Sequence, residues 1–171
     1  MHRFIVSFFL LSLPAGVIFS APLEVGQPAP KLETLDHSGQ TVSFDSKLYE
    51  GLVFVFFYPK ADTPGCTRQA CSLRNAYARL QEHGVRIFGV SGDDATRQSA
   101  FARKYALPYP LIPDPDGRVI EAFGVPSRIS GSTRFASRQA FLIEEGRIIW
   151  RDTNASTDQQ AEDVLNFLEN R

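Results

Sequence analysis

The strongest constraint on the fold is the run Leu52–Tyr58 (LVFVFFY), continuously apolar and bounded by Gly51 and Pro59. A strand with one wet face alternates apolar and polar residues, so an unbroken run of this length between turn residues reads as a strand covered on both faces. Val85–Val90 (VRIFGV) repeats the pattern. Such strands need a layer on each side of their sheet, and the segments between them supply helices. Ala70, Leu73, Tyr77 and Leu80 recur at helical spacing until Gly84 stops the run. Asp93 or Asp94 caps a helix that carries Phe101 and Tyr105 and ends at Pro108.

The flanks complete an α/β layered domain. Residues 22–30 (PLEVGQPAP) are a Pro-rich extended lead-in. Lys31–Asp36 and Thr41–Phe44 form a small hairpin around His37–Gln40. Pro110–Pro113 is a short strand and Val119–Phe123 a short helix. Ala140–Ile143 and Arg147–Trp150 form a hairpin turning at Glu145-Gly146. Thr157 to Gln160 resembles a capping box, opening a last helix with Ala161, Val164, Leu165 and Leu168 inward. The chain of 171 residues is 43% hydrophobic and carries 14 Phe, enough to fill the core of one domain.

The first twenty residues stand apart. Met1–Arg3 is a short basic start, Phe4–Phe19 is an apolar stretch interrupted by Ser7, Ser12, Pro14 and Gly16, and small residues follow at Ser20 and Ala21. This is the layout of a secretory signal peptide, with the cut expected after Ser20. The alternative is an uncleaved membrane anchor, but the stretch is short for about 30 Å of hydrocarbon and Pro14 and Gly16 weaken it. The expected organisation is a signal at 1–20 and one domain at 21–171, exported, in a bacterium to the periplasm, with no stable membrane association after cleavage. Removing 1–20 takes away Arg3 and no acid, leaving 17 basic and 19 acidic residues, a net charge of −2. With no basic stripe, nucleic acid is not an expected partner.

Only two cysteines are present, Cys66 and Cys71. Five residues apart, they close almost no loop and would stabilise the fold little as a staple. Zinc is not expected, because His37 and His83 are the only histidines of the mature chain and do not complete a ligand set. Cys66 falls in the first turn of the helix that follows the buried strand, and Pro64 suits that helix start. Free N–H groups and the positive end of the helix dipole favour a thiolate there, and the thiolate is the nucleophile. Thr63 could place a hydroxyl beside the sulfur. The competing reading is a pair of small, buried, inert hydrophobes.

The run FYPKADTPGCTRQAC, from Phe57 to Cys71, resembles the active-site segment of the peroxiredoxins, specifically the bacterioferritin-comigratory/PrxQ type. The P-x-x-x-T-x-x-C pattern is met by Pro59, Thr63 and Cys66, and a second Cys follows at the subfamily's spacing. Gly26–Pro30, Gly89-Val90-Ser91 and Arg138 before Ala140–Ile143 extend the likeness over most of the mature chain. The resemblance implies a thioredoxin-like, peroxiredoxin-type fold with a central mixed β-sheet flanked by helices. It implies that Cys66 is the peroxidatic thiol, that Thr63 holds the peroxide, that Pro59 shields the sulfur from water, and that Arg138 stabilises the thiolate and polarises the peroxide. Arg134 is a weaker candidate for that last role.

It further implies a thiol peroxidase without a cofactor that acts on hydrogen peroxide and organic hydroperoxides, as a monomer or weak homodimer. Cys66 would become a sulfenic acid, Cys71 would resolve it as an intramolecular disulfide, and a thioredoxin-like reductant protein would recycle it. In an intact helix, residues i and i+5 have Cα atoms roughly 8–9 Å apart, from about 7.5 Å of rise and roughly 140° of rotation. A disulfide needs about 4.4–6.8 Å. The resemblance therefore demands that the helix unwind on oxidation. Two rivals are a thioredoxin-type oxidoreductase, which would use C-x-x-C, and a binding or holdase protein, which would not need Pro59, Thr63, Cys66 and Arg138 together.

Overall fold

The computed structural model describes residues 23–171; the expected signal segment lies outside the described residues. Its centre is a five-stranded mixed sheet in the order β5-β4-β3-β8-β9. The strands are β3 (Val53–Phe57), β4 (Arg86–Ser91), β5 (Leu111–Pro113), β8 (Gln139–Glu144) and β9 (Arg147–Asp152). β3 pairs parallel with β4 and antiparallel with β8, so the apolar run occupies the middle of the sheet. All five of its residues are buried.

Alternation along β3 divides the core into two layers. Phe54, Phe56 and Tyr58 face α1 (Pro64–Asn75), α2 (Tyr77–Glu82), α3 (Ala95–Lys104) and α5 (Gln160–Glu169), packing with Leu73, Leu80, Phe101 and Val164. Val53, Val55 and Phe57 face the other way, toward β2 (Thr41–Phe44), a 3-10 turn at Leu48–Glu50 and α4 (Arg118–Ala122). Each fully buried Phe or Val contributes about 1.5–3 kcal/mol of transfer free energy, which is why this strand sets the architecture. The thioredoxin-like layered fold expected from the resemblance is the one observed.

Both edges of the sheet are covered. On the β9 side the Pro-rich lead-in runs alongside, with Gly26 N and Ala29 N donating to Ile148 O and Gly146 O at 2.8 Å. On the β5 side the turn between β1 (Leu32–Leu35) and β2 presents His37, whose N–H donates to Leu111 O at 2.7 Å and whose Nδ1 accepts from Leu111 N at 3.1 Å. Pairing an exposed edge in this way removes a site for aggregation.

Two local expectations are corrected, and one element is new. The helix carrying Ala70 to Leu80 is two helices, because Ala76 (φ −95°, ψ 7°) leaves helical geometry between α1 and α2. The capping box at Thr157 does not form. α5 begins at Gln160, whose fully buried side chain points inward and cannot reach back to Thr157, while Gln159 N donates to Ser156 Oγ at 2.8 Å. A hairpin of β6 (Ser127–Ser130) and β7 (Thr133–Ala136) was not foreseen; Gly131, with φ 61°, takes the first central position of its two-residue turn.

Candidate active site

The chain leaves the sheet at the carboxyl end of β3. Tyr58 N still donates to Val90 O at 3.1 Å, and Pro59 then ends the pairing. The loop that follows is held by side chains from the β4–α3 corner and from α3. Asp93 Oδ2 accepts from Ala61 N at 2.6 Å and from Ser91 Oγ at 2.7 Å, and Arg97 Nη2 donates to Ala61 O at 3.2 Å. Arg97 Nε also pairs with Asp93 Oδ1 at 3.1 Å, which closes a ring around the backbone N–H and C=O of one residue, Ala61. Asp62 adopts φ 61°, an uncommon conformation for a non-glycine residue. Lys104 Nζ and Tyr105 OH donate to its carboxylate at 2.8 and 2.7 Å, and those bonds hold the carboxyl below its ordinary value.

Thr63 is the extended residue before α1 and Pro64 opens the helix. Thr63 Oγ1 donates to Lys60 O at 2.9 Å, which turns its hydrogen into the loop and leaves its lone pairs as acceptors. Among the described residues no hydrogen bond joins Thr63 to Cys66. Cys66 is the third residue of α1, 2% exposed, and packs in the layer that contains Tyr58, Ala61 and Ala140. Burial raises the Tyr58 phenol far above its usual range, so that ring is a neutral wall whose hydroxyl is held by Gln98 at 2.5 Å.

Arg138, just before β8, reaches across to α1 and sets Nη2 3.4 Å from Cys66 Sγ. Its Nη1 donates to Gln69 Oε1, and Gln69 Nε2 donates to Gln160 Oε1 at 2.6 Å. Both glutamines are fully buried. The guanidinium beside the sulfur is thus gripped by a neutral amide pair, so its positive charge is not cancelled by a carboxylate. Arg134 is elsewhere: it bonds Asp116 O and Ser127 Oγ at 3.0 Å and pairs with Glu121 at 3.5 Å. Cys71 lies half-buried on the same helix as Cys66, and both thiols are free. Pro59 is half-buried and lines a cleft with Phe135 and Ser137.

The arrangement provides a sulfur nucleophile at a helix start, a cation on the sulfur and an acceptor oxygen one turn away. Gln69, Gln160, Asp93 and Arg97 support it; the sequence offers Asp93 and Gln160 only as helix caps and gives no role to Gln69 or Arg97. The two glutamines are 91 residues apart, with no spacing signal to join them.

Residues 25–151 match the AhpC/TSA family. The chain is 36% identical over 155 residues to the chloroplastic peroxiredoxin Q of Arabidopsis thaliana, a match covering 90% of this chain and 70% of that one. It superposes on the peroxidoxin BcpB of Mycobacterium tuberculosis with a TM-score of 0.79 and 30% identity, covering 86% of this chain and 97% of the other. It also shares its fold with the Xanthomonas campestris bacterioferritin comigratory protein, described for alkyl peroxide reduction, at a TM-score of 0.75, 23% identity and coverage of 88% and 98%. With a buried Cys66 facing Arg138 at the start of α1, this chain belongs to the AhpC/TSA family as a thiol peroxidase of the bacterioferritin-comigratory/peroxiredoxin Q type.

Proposed function

We propose that Cys66 is the peroxidatic thiol and that Cys71 resolves it. The observation that carries this reading is the 3.4 Å approach of Arg138 Nη2 to a Cys66 sulfur that sits in the first turn of α1. The Cys66 thiolate attacks the terminal oxygen of a hydroperoxide. The S–O bond forms as the O–O bond breaks, and the departing oxygen takes a proton to leave as water or an alcohol. Arg138 and the free N–H groups at the helix start stabilise charge on both oxygens, and the Thr63 lone pairs accept the peroxide O–H. Pro59 helps to keep bulk water from the sulfur.

Cys71 thiolate then attacks the sulfenic sulfur, forming S–S and releasing hydroxide, which is protonated to water. A thioredoxin-like dithiol protein reduces the disulfide and returns both thiols. In the reduced state both cysteines lie within one continuous helix, so this step requires its first turns to unwind. The mature protein is read as residues 21–171, exported after loss of the signal and acting as a monomer or weak homodimer.

One equivalent of peroxide should lower the mass of the reduced protein by two hydrogens, and the Cys71→Ser variant should instead carry a trapped sulfenic adduct at Cys66. A lasting sulfenic acid on the unaltered protein, with no disulfide, would remove Cys71 from the scheme.

A further inference from the structure

The peroxidase reading leaves open what the remainder of the peroxide looks like, and the surface beside Cys66 bears on it. The β3–β8 register sets Phe57 against Gln139. Beyond that pair, Pro59 and Ser137 line one cleft of about 340 Å³. Arg138, between Ser137 and Gln139, is the residue that reaches Cys66. The cleft therefore opens at the same end of the sheet as the thiol.

Its walls are mostly apolar, from Pro59, Pro126, Ala136 and the half-buried ring of Phe135, with Ser127, Arg128 and Ser137 completing the lining. Two cations lie over that ring. The Arg128 guanidinium carbon is 4.9 Å from the centroid and Lys60 Nζ is 5.4 Å from it. No acidic residue lines the cleft. Among the described residues neither Arg128 nor Lys60 is in an ion pair; those pairs involve Arg79, Arg97, Lys104, Arg134, Arg151 and Arg171. Arg68 and Arg138 likewise have no carboxylate partner. They meet at Gly65, where an added methyl would lie 3.3 Å from Arg138 Nη2 and 4.0 Å from Arg68 Nη2.

Two cations without counter-charges among the described residues, Arg128 and Lys60, thus sit on the ring that lines the cleft, and two more, Arg68 and Arg138, stand at Gly65 next to Cys66, in a chain whose formal net charge is −1. Cation–π contact with one half-buried ring holds such cations only weakly. Like charges converging on one ring repel, and an arriving anion relieves that repulsion. The cleft is at the small end of the range of ligand pockets, about 300–1,000 Å³, so it suits one ring or a short alkyl chain.

We propose that this cleft is a substrate subsite and that the enzyme favours organic hydroperoxides bearing a carboxylate. The apolar body lies against Phe135, Pro59 and Pro126, the carboxylate meets Arg128 and Lys60, and the hydroperoxide end is presented to Cys66. The proposal rests on Cys66 being the peroxidatic thiol.

The test is quenched-flow mass spectrometry of Cys66 oxidation in the full, reduced chain. Its substrates are hydrogen peroxide, the para-carboxylate of cumene hydroperoxide, and the methyl ester of that acid. At low ionic strength the carboxylate should react about 5–10-fold faster than the ester, with the ratio shrinking as salt screens the cations. In the double variant Arg128→Gln, Lys60→Gln the ratio should fall to about one. The readout is a ratio of two peroxides on one protein sample, so partial loss of folded enzyme cancels. A ratio near one in the unaltered protein, or a ratio unchanged in the variant, overturns the subsite. So does an effect confined to disulfide reduction by thioredoxin with the peroxide ratio intact, which would assign the cations to protein docking. Failure of all three peroxides, hydrogen peroxide included, to oxidise Cys66 would instead overturn the peroxidatic reading.

Discussion

At the scale of single residues, the site depends on how firmly Arg138 is held. Removing one donor aimed at developing charge costs about 10²–10³ in rate, so Arg138→Ala should lower the second-order rate of Cys66 oxidation by that factor. Gln69→Leu keeps the guanidinium but releases it, and the expected loss is smaller, on the order of 10-fold, since a group is misplaced rather than deleted. The two variants, compared by pre-steady-state oxidation, separate charge from placement; equal losses would mean that Gln69 does more than hold. Cys66 and Thr63 stood out because they fall in one short motif, whereas Arg138, 72 residues away from Cys66, was placed only by the family resemblance. Gln69 and Gln160 were not legible, because an amide pair is defined only by the meeting of α1 with the start of α5. Among the described residues Gln160 Nε2 has no partner of its own, so packing holds this residue as much as polarity does.

At the scale of elements, α1 is gripped unevenly. Its far half is tied to the segment after α3: Arg74 Nη1 donates to Tyr105 O and Tyr109 OH to Ala70 O, each at 2.7 Å. Its near half is held instead through the group that oxidation disturbs: Arg138 meets Cys66 Sγ and Gln69, and Gln69 in turn donates to Gln160. On oxidation, amides of residues 64–70 should therefore lose hydrogen-exchange protection while those of 72–75 retain it. Equal protection of both halves in reduced and oxidised protein would show that α1 stays wound. The helix was readable from its apolar spacing, but its interruption at Ala76 was not, since Tyr77 and Leu80 continue the same periodicity on the far side of the break. The β6–β7 hairpin escaped notice for a different reason. All four residues of β6 are exposed, so it carries no buried stripe, and its Ser- and Arg-rich sequence resembles a loop.

At the scale of the whole molecule, the architecture follows from a sheet that must be covered twice, and this was the most legible part. Fully apolar central strands dictated two helical or hairpin layers, and only the choice of which element covers which face needed the structure. The fit between layers is tight at Gly89 in β4. A methyl group there would lie 2.7 Å from Phe56 Cζ and 2.8 Å from Leu111 Cδ2. Gly89→Ala should cost about 1–3 kcal/mol by overpacking, seen as a lower urea midpoint with an unchanged slope. A midpoint equal to that of the unaltered protein would show that the ring of Phe56 yields freely. Both thiols ride on a single helix in the layer that covers one face of the sheet, and that placement makes time a variable. On the proposed resolution by Cys71, the energy that keeps α1 wound also delays the closing of the disulfide. A stiffer helix would leave the sulfenic acid waiting within reach of a second peroxide, and the product of that encounter, a sulfinic acid, is not recovered by thiols. A slacker one would let Cys66 drift from Arg138 before any peroxide arrived. On that proposal the winding of α1 is a timer, set between readiness for the first oxidation and escape from the second.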